Sequence, residues 1–391
     1  MRIAIIGTGY VGTVTATCLA WLGHEVVGVD LDEARVGQLN SGQVPFYEPG
    51  VPDLLGETLA TGRLRFSVTA AAVEGAEVVF LCVGTPSGSD GQPDLSQLSA
   101  AVVSIAPHLS AGAVVVNKST VPVGSANWVR ALLEEARPRV PSPVFSVVSN
   151  PEFLREGSAV EDFLFPDRIV LGGDPQAVAV LVEAYQPLLT QSFPGGRPDA
   201  RPQLFRCDLT SAEMIKYAAN AFLATKISFA NEIANLCELV GADAREVLPA
   251  IGADERIGPR FLAAGVGWGG SCFGKDISAL IAGGADYGYR APLLRATVEV
   301  NESQRAGVVS KLQRELKVLK GRRVCLLGLA FKPGTDDLRD SPALDVARRL
   351  LAAGCLLSAW DPVVKQLPDD LASVRMGTDP YDAAERADAV I

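Results

Sequence analysis

The chain opens on a short apolar run, Arg2-Ile3-Ala4-Ile5-Ile6, that passes directly into Gly7-Thr8-Gly9-Tyr10-Val11-Gly12. A run of that length, stopped by glycine and followed by a helical pattern, predicts strand, tight turn and helix in immediate succession. The three glycines have separate duties. Gly7 permits the turn, Gly9 lets a ligand approach the backbone, and Gly12 lets the helix lie close on the strand. The N–H groups at the helix start then face an anion such as a pyrophosphate. A second expected strand, 25–29, ends at Asp30, 18 residues beyond Gly12. That spacing suits a carboxylate that binds a ribose hydroxyl, and a carboxylate there repels a 2′-phosphate. The pattern therefore points to NAD rather than NADP, with Arg35 a small counterweight. The competing reading is a Gly-rich structural turn.

Beyond this unit, further strands are expected at 64–68, 77–83, 113–117 and 145–149, with helical stretches between most of them. Strand–helix alternation predicts an α/β fold with a parallel sheet covered on both faces. From Asp208 to Val240 the sequence reads as one long helix, with Thr210 and Glu213 placed as a capping box. Such a helix bridges flanking domains or forms a dimer seam. A Gly-rich loop follows at 265–274, then more helix to Lys320. The last segment restarts the opening pattern. Arg323-Val324-Cys325-Leu326-Leu327-Gly328 echoes Arg2 to Gly7, and a helix over 341–353 leads to a strand ending Trp360-Asp361, as the second strand ends at Asp30. The expected architecture is two Rossmann-like doubly wound domains joined by a long central helix. The bounds are 1–200 for an NAD-binding domain, 201–320 for a central helical and dimerisation domain, and 321–391 for a C-terminal α/β domain. Because the chain stops inside a strand pattern, that last domain is expected to be incomplete.

Composition excludes several classes. Of 391 residues, 48% are hydrophobic and 20% charged, which supplies a substantial core. The formal net charge of -10 argues against a nucleic-acid partner, which needs a basic face. No apolar stretch approaches the roughly 20 residues of a spanning helix, and the N-terminus lacks the regions of a secretory leader. The seven cysteines are scattered, no CxxC occurs, and there are two histidines. Neither a disulfide framework nor a metal site is expected, and the setting is read as reducing and cytoplasmic. Chemistry falls to Cys, Lys, Asp, Glu or Asn.

Three loops end predicted strands, where ligands of such folds bind: Val83-Gly84-Thr85-Pro86, Lys118-Ser119-Thr120-Val121-Pro122-Val123-Gly124, and Asn150-Pro151-Glu152-Phe153-Leu154-Arg155-Glu156-Gly157. Taken singly each is more often a turn or a cap than a site; their shared sheet edge favours a site. Lys216 and Asn220 lie four apart on the long helix and share a face. Lys216 sits among Met214, Ile215, Tyr217 and Ala218, where an ammonium is either desolvated and aimed at an anion or reaches out to solvent. The sharpest local signal is Gly267-Trp268-Gly269-Gly270-Ser271-Cys272-Phe273-Gly274-Lys275-Asp276. Glycines leave room around Cys272, and a helix is expected to begin just after it. A helix start and Lys275 favour a thiolate, and Asp276 is placed as a base or water-orienter. The other cysteines read as inert thiols, Cys207 less clearly than the rest.

Taken together, GTGYVG, KSTVPVG, NPEFLREG, EMIKYAANAFLATKISFANE, GGSCFGKD and FKPGTDDLRDSP resemble the UDP-glucose/GDP-mannose dehydrogenase family over essentially the whole chain. Ser-Cys-Phe in the cysteine motif is more similar to the UDP-glucose branch than to the GDP-mannose or UDP-N-acetylmannosamine branches. Gly274 departs from the family, which commonly has Pro there. The resemblance implies NAD as cofactor, UDP-glucose as substrate and oxidation of its C6 alcohol to a carboxylate in two hydride transfers. By it, Cys272 forms a thiohemiacetal and then a thioester, and Lys216 and Asn220 stabilise oxyanions. Glu152 serves as acid and base, with Thr120 and Asp276 handling water. It implies cofactor contacts at Gly7, Gly9, Tyr10, Val11, Gly12, Asp30, Arg35, Thr85, Thr120, Glu156, Lys275 and Arg339. It implies substrate contacts at Glu152, Phe153, Leu154, Arg155, Lys216, Asn220, Phe261, Leu262, Ala263, Ala264, Gly265, Gly269 and Lys332, with Arg256 reaching a neighbouring subunit of a homodimer or higher homo-oligomer.

Three alternatives stay open at this point. One is another nucleotide-sugar dehydrogenase, acting on GDP-mannose or UDP-N-acetylmannosamine. Another is a two-electron hydroxyacid dehydrogenase, which shares GxGxxG and a Lys-Asn pair but needs no Gly-embedded cysteine. The third is a non-catalytic NAD-binding scaffold.

Overall fold

The computed structural model describes residues 1–86, 88, 93–136 and 145–391. The chain divides into two compact units, Met1–Tyr217 and Ala218–Ile391.

In the first unit, β1 (Arg2–Ile6), β2 (Glu25–Val29), β3 (Leu64–Ser67), β4 (Val78–Leu81), β5 (Ala113–Asn117), β6 (Phe145–Ser149), β7 (Arg168–Gly173) and β8 (Gln203–Cys207) form one sheet. Its order is β3-β2-β1-β4-β5-β6-β7-β8. Every neighbouring pair is parallel except β6 with β7, which is antiparallel. The sheet is therefore mixed rather than wholly parallel. The two strands beyond β6 were not in the sequence reading; β7 is buried at its inner positions and its apolar run Ile169-Val170-Leu171 was legible. β8 is an edge strand with no buried position, so it carries no apolar run to announce it.

β4 and β5 are buried at every position because helices cover both faces. Side chains alternate between two cores. Ile3, Ile5, Phe80, Val116 and Val148 pack with Leu19, Phe163 and Leu181 on one side. Ala4, Ile6, Val79, Val115 and Val147 pack with Leu98, Val102 and Leu133 on the other.

The long helix runs Leu209–Val240, close to its expected bounds. Its expected capping box does not form. The carboxylate of Asp208 accepts the Ser211 N–H at 2.8 Å and so caps the helix start. Glu213 instead accepts the N–H groups of Gly124 and Ala126, at 2.6 and 2.8 Å. Asp is an effective N-cap, and with Asp208 in that place Thr210 lies inside the first turn.

The second unit contains the helices Phe273–Asp286 and Pro292–Leu316 and a second sheet. That sheet comprises β9 (Arg323–Leu327), β10 (Leu356–Trp360), β11 (Arg375–Met376) and β12 (Ala389–Val390), all parallel, in the order β11-β10-β9-β12. This repeats β3-β2-β1-β4, and the echo extends to single hydrogen bonds. Gly7 N–H donates to Val29 O at 2.8 Å and Thr8 N–H to Asp30 Oδ2 at 2.7 Å. Correspondingly, Gly328 N–H donates to Trp360 O at 2.9 Å and Leu329 N–H to Asp361 Oδ2 at 2.8 Å. Two doubly wound α/β halves with the long helix between them in sequence are thus present. Among the described residues, no helix is long and apolar enough to cross a membrane, and no group of three or more His, Cys, Asp or Glu is placed to hold a metal ion.

Candidate functional site

The first glycine turn is built as its spacing requires. Gly7 has φ +88, and a Cβ on Gly12 would stand 1.8 Å from Gly7 O, so the helix Tyr10–Trp21 can approach β1 only without a side chain there. A Cβ on Gly9 would meet nothing within 4 Å, which leaves that side of the turn open for a ligand. Gly9 caps the helix without a side-chain acceptor, and no acid stands in the first turn, which suits an external anion. Val11 lies in that first turn, partly buried. At the end of β2, burial would push the Asp30 carboxyl up, but N–H groups of Asp32 and Thr8 and the Arg35 guanidinium hold it below the usual carboxylate range. Arg35 is itself paired to Asp30 at 3.1 Å and to Asp32 at 3.5 Å. An ionised carboxylate with its neighbouring cation already committed fits the ribose of NAD and disfavours a 2′-phosphate. Gly12→Ala is expected to weaken NAD binding by at least about 100-fold, equivalent to roughly 3 kcal/mol, because backbone must shift to clear the new methyl. Fluorescence titration with NADH checks this.

The neighbouring loops are tied to one another. Thr85 Oγ1 donates to Thr120 O at 2.7 Å, and Ser119 Oγ donates to Val83 O at 2.8 Å. Tyr10 donates its hydroxyl to the buried Glu48. The same carboxylate accepts the N–H groups of Gly157 and Ala159 at 2.6 and 2.8 Å. Glu48 therefore joins the glycine turn to the end of the loop 150–157, where Glu156 sits partly buried. The sequence reading missed Glu48; its one signal was a lone carboxylate before Pro49-Gly50 in an otherwise uncharged loop.

A buried ion pair lies at the other end of that loop. Lys216 Nζ is 3.0 Å from Glu152 Oε1, with side chains only 5% and 6% exposed. Burial alone would push the Glu152 carboxyl up. Lys216, the Leu154 N–H at 2.6 Å and the charge of Lys118 hold it below the usual carboxylate range. Phe153 packs its ring against the Arg168 guanidinium at 3.9 Å and lies 5.5 Å from Lys216 Nζ. Leu154 is partly buried. Arg155 does not join this cluster. It is exposed and gripped by Asp162 at 2.5 Å.

In the second unit, Cys272 is the N-cap residue of the helix Phe273–Asp286. Cys18, Cys82, Cys237, Cys325 and Cys355 are buried, whereas Cys207 and Cys272 are partly exposed. Ser271 Oγ stands 3.5 Å from Cys272 Sγ. Asp276 closes the first helical turn onto the Cys272 carbonyl at 2.9 Å. Its buried carboxylate accepts from Asn220 Nδ2 at 2.6 Å, so the long helix fixes Asp276 beneath the cysteine. Lys275 is partly exposed beside it.

The loop before Cys272 is clamped by groups that the sequence reading did not find. Asn301 accepts the Trp268 N–H at 2.7 Å and donates to Trp268 O at 3.0 Å. Arg305 donates to Trp268 O at 2.6 Å and to Asp340 Oδ1 at 2.8 Å. Gly270 N–H donates to Arg339 O at 3.0 Å, and a Cβ on Gly269 would lie 2.0 Å from Asp340 O. Thr297, Asn301 and Arg305 form a buried polar stripe on Pro292–Leu316 at i, i+4, i+8. That periodicity was visible, but polar residues at helical spacing ordinarily mark a solvated face.

Phe261 adopts φ +64, a strained conformation for a bulky residue. Leu262 is buried, whereas Ala263, Ala264 and Gly265 are exposed. That strap is held by Gly265 N–H to Asn231 Oδ1 and by Gln304 Nε2 to Gly265 O, both at 2.7 Å. Three remaining cationic candidates stand on the surface or at a loop. Arg256 is exposed and bound to Asp254 at 2.6 Å. Arg339 is exposed and bound to Asp337 at 2.7 Å. Lys332 is partly buried, its Nζ 5.8 Å from the Phe331 ring centroid.

Comparison with known proteins places the chain in a family. Residues 1–189 match the NAD binding domain of the UDP-glucose/GDP-mannose dehydrogenase family, residues 210–303 its central domain and residues 325–391 its UDP binding domain. The chain is 44% identical to UDP-glucose 6-dehydrogenase TuaD of Bacillus subtilis (100% of this chain, 82% of the relative). It is 46% identical to UDP-glucose 6-dehydrogenase of Rhizobium meliloti (100% and 88%). Among solved structures, a UDP-glucose dehydrogenase from the archaeon Pyrobaculum islandicum superposes with a TM-score of 0.92 at 39% identity, covering 100% of this chain and 88% of that one. With its three domains matched in order and relatives similar over the whole chain, the chain belongs to the UDP-glucose/GDP-mannose dehydrogenase family.

Proposed function

We propose that the chain oxidises the C6 alcohol of UDP-glucose to the carboxylate of UDP-glucuronate in two steps, each consuming one NAD. NAD supplies the hydride acceptor; the remaining work falls to side chains. Lys216 and Asn220 stabilise the oxyanions that develop at C6. The Cys272 thiolate adds to the aldehyde carbon, and the thiohemiacetal so formed has a hydrogen on carbon that leaves as hydride, giving a thioester. Glu152 takes a proton from the attacking water as the thioester is hydrolysed, with Thr120 and Asp276 orienting that water. Asp30 and the glycine turn hold the cofactor. Phe261–Gly265, Gly269 and Lys332 hold the nucleotide sugar.

The observation that carries this reading is Cys272. It is partly exposed at a helix start, on a loop of glycines, with a fixed carboxylate one turn on. A two-electron dehydrogenase has no use for such a thiol. The test is a panel of UDP-glucose, GDP-mannose and UDP-N-acetylmannosamine with NADH counted per sugar consumed. Two NADH with UDP-glucose as preferred substrate is expected. One NADH, or preference for another sugar, overturns it.

The chain is further proposed to act as a homodimer or higher oligomer in a reducing, cytoplasmic setting. Phe222, Phe229 and Leu236 are spaced by seven on the long helix and are 65%, 46% and 50% exposed. An apolar stripe of that size calls for a partner, and a second copy of the same helix supplies a matching one. Phe222→Asp with Phe229→Asp is expected to lower the sedimenting mass to the monomer's. An unchanged mass contradicts this interface.

A further inference from the structure

Lys118 has no role in the chemistry above, yet it is one of the most enclosed charges in the molecule. It follows β5 directly and is 5% exposed. Its Nζ donates to Asn150 Oδ1 at 3.1 Å. Asn150 is itself immobilised, because its Nδ2 donates to Val170 O at 2.9 Å and its Oδ1 accepts the Tyr185 hydroxyl at 2.7 Å. The ammonium is thus anchored to a residue that is pinned to β7 and to the buried Tyr185, and that opens the loop carrying Glu152.

We propose that Lys118 is a positioning residue, a fixed positive charge that keeps Glu152 a carboxylate while Lys216 serves the substrate oxyanion. The proposal rests on the reaction given under Proposed function. Two cations face one buried carboxylate. Lys216 reaches Glu152 from the long helix, and the reaction asks the same ammonium to stabilise charge at C6. When it turns to that task, Glu152 keeps the Leu154 N–H but loses its paired cation. A buried carboxylate without a nearby positive charge takes up a proton more readily, and a protonated Glu152 cannot accept one from water. Lys118 prevents this because its tether to Asn150 leaves it in place.

The surroundings support this assignment. Glu152 is faced by Lys216 from the long helix, by Lys118 from the end of β5 and by Cys82 from the end of β4. The Cys82 thiol is pushed up to about 12 by burial and carries no charge near neutrality. Burial likewise pushes the Tyr185 hydroxyl up, so it stays a neutral donor. Burial pushes the Lys118 ammonium down, Cys82 and then Glu152 oppose that, and Lys216 adds to it; with the Cys82 thiol uncharged near neutrality, the Glu152 carboxylate is the anion facing Lys118.

The test uses Lys118→Gln, which keeps a donor toward Asn150 and removes the charge, with Lys118→Met as a second variant lacking both. Activity on UDP-glucose is followed against pH. Lys118→Gln is expected to move the acid limb of kcat toward higher pH by about one unit, a tenfold loss on the acid side. The sign follows from Glu152 needing to be ionised. In a Glu152→Gln background the same substitution should leave the pH profile unmoved. A purely structural role would lower activity by one factor at every pH, together with the melting temperature, and that result overturns the proposal. So does a limb shift that persists without Glu152. NADH per sugar is read in the same assays. A value of two with an unmoved limb defeats the Lys118 proposal alone, whereas a value of one defeats the reaction it rests on.

Discussion

Cys272→Ala is expected to cut complete oxidation of UDP-glucose by roughly 10⁴-fold or more, the scale of losing a covalent nucleophile. The reason is chemical. An aldehyde has no hydride that can leave readily toward a carboxylate until a nucleophile adds to its carbon. The thiol supplies that nucleophile, and the sulfur is then a competent leaving group from the acyl stage. Cys272→Ser keeps an adding oxygen but is expected to stall, because an alkoxide is a much poorer leaving group. The glycine turn at residues 7–12 does not include the cysteine, so NADH binding by either variant should match the parent. Stopped-flow absorbance at the NADH band separates the two hydride transfers. A Cys272→Ala variant that still yields two NADH per sugar at near-parent rate contradicts the assignment.

Lys216→Met is the second large effect, and it strikes stability as well as activity. Removing one member of a buried ion pair leaves the other uncompensated, at a cost of about 3–5 kcal/mol. Here the lower end is expected, since Lys118 still faces Glu152. The pH dependence fixes the sign. In the parent, Glu152 titrates below its unfolded value despite burial, through Lys216 first. Its contribution is present above the unfolded carboxylate range and is lost as pH falls through the folded value. In Lys216→Met the largest lowering influence is gone and the folded value rises, while the Leu154 N–H and Lys118 still hold the carboxyl ionised near neutrality. The variant then gains relative to the parent as the carboxyl protonates. Urea midpoints should differ most near pH 7 and converge toward pH 4. Activity should fall about 10²–10³-fold, as for loss of an oxyanion donor. Equal midpoint differences at both pH values would mean that the pair is not what the substitution breaks.

Much of this was legible in the sequence where one rule governs a residue. Gly7 and Gly12 are readable because positive φ and close packing admit nothing else. The long helix is readable because its breakers are few and its end falls before Gly241. Lys216 is readable as a lysine among apolar neighbours, and its partner in the fold is an anion. What stayed hidden depends on tertiary partners. Glu213 fits the capping-box spacing, but its carboxylate is drawn to Gly124 and Ala126 from another loop. Asn301 and Arg305 clamp the cysteine loop, and nothing in their local sequence distinguishes them from polar residues on a solvated face. Glu48 joins Tyr10, 38 residues before it, to Gly157, 109 residues after it, a connection no local pattern records. β8 has no fully buried position and lacks the apolar signal of the inner strands.

The claim on which the account turns is a covalent acyl stage at one sulfur. Glu152→Gln removes the base proposed to release that stage, so incubation with UDP-glucose and NAD, acid quenching and peptide mass spectrometry should find the sugar acyl group on the peptide containing Cys272. Hydroxylamine should remove it, as it removes thioesters. An unmodified Cys272 peptide from a variant that has produced NADH, or an adduct on any other residue, would contradict the account.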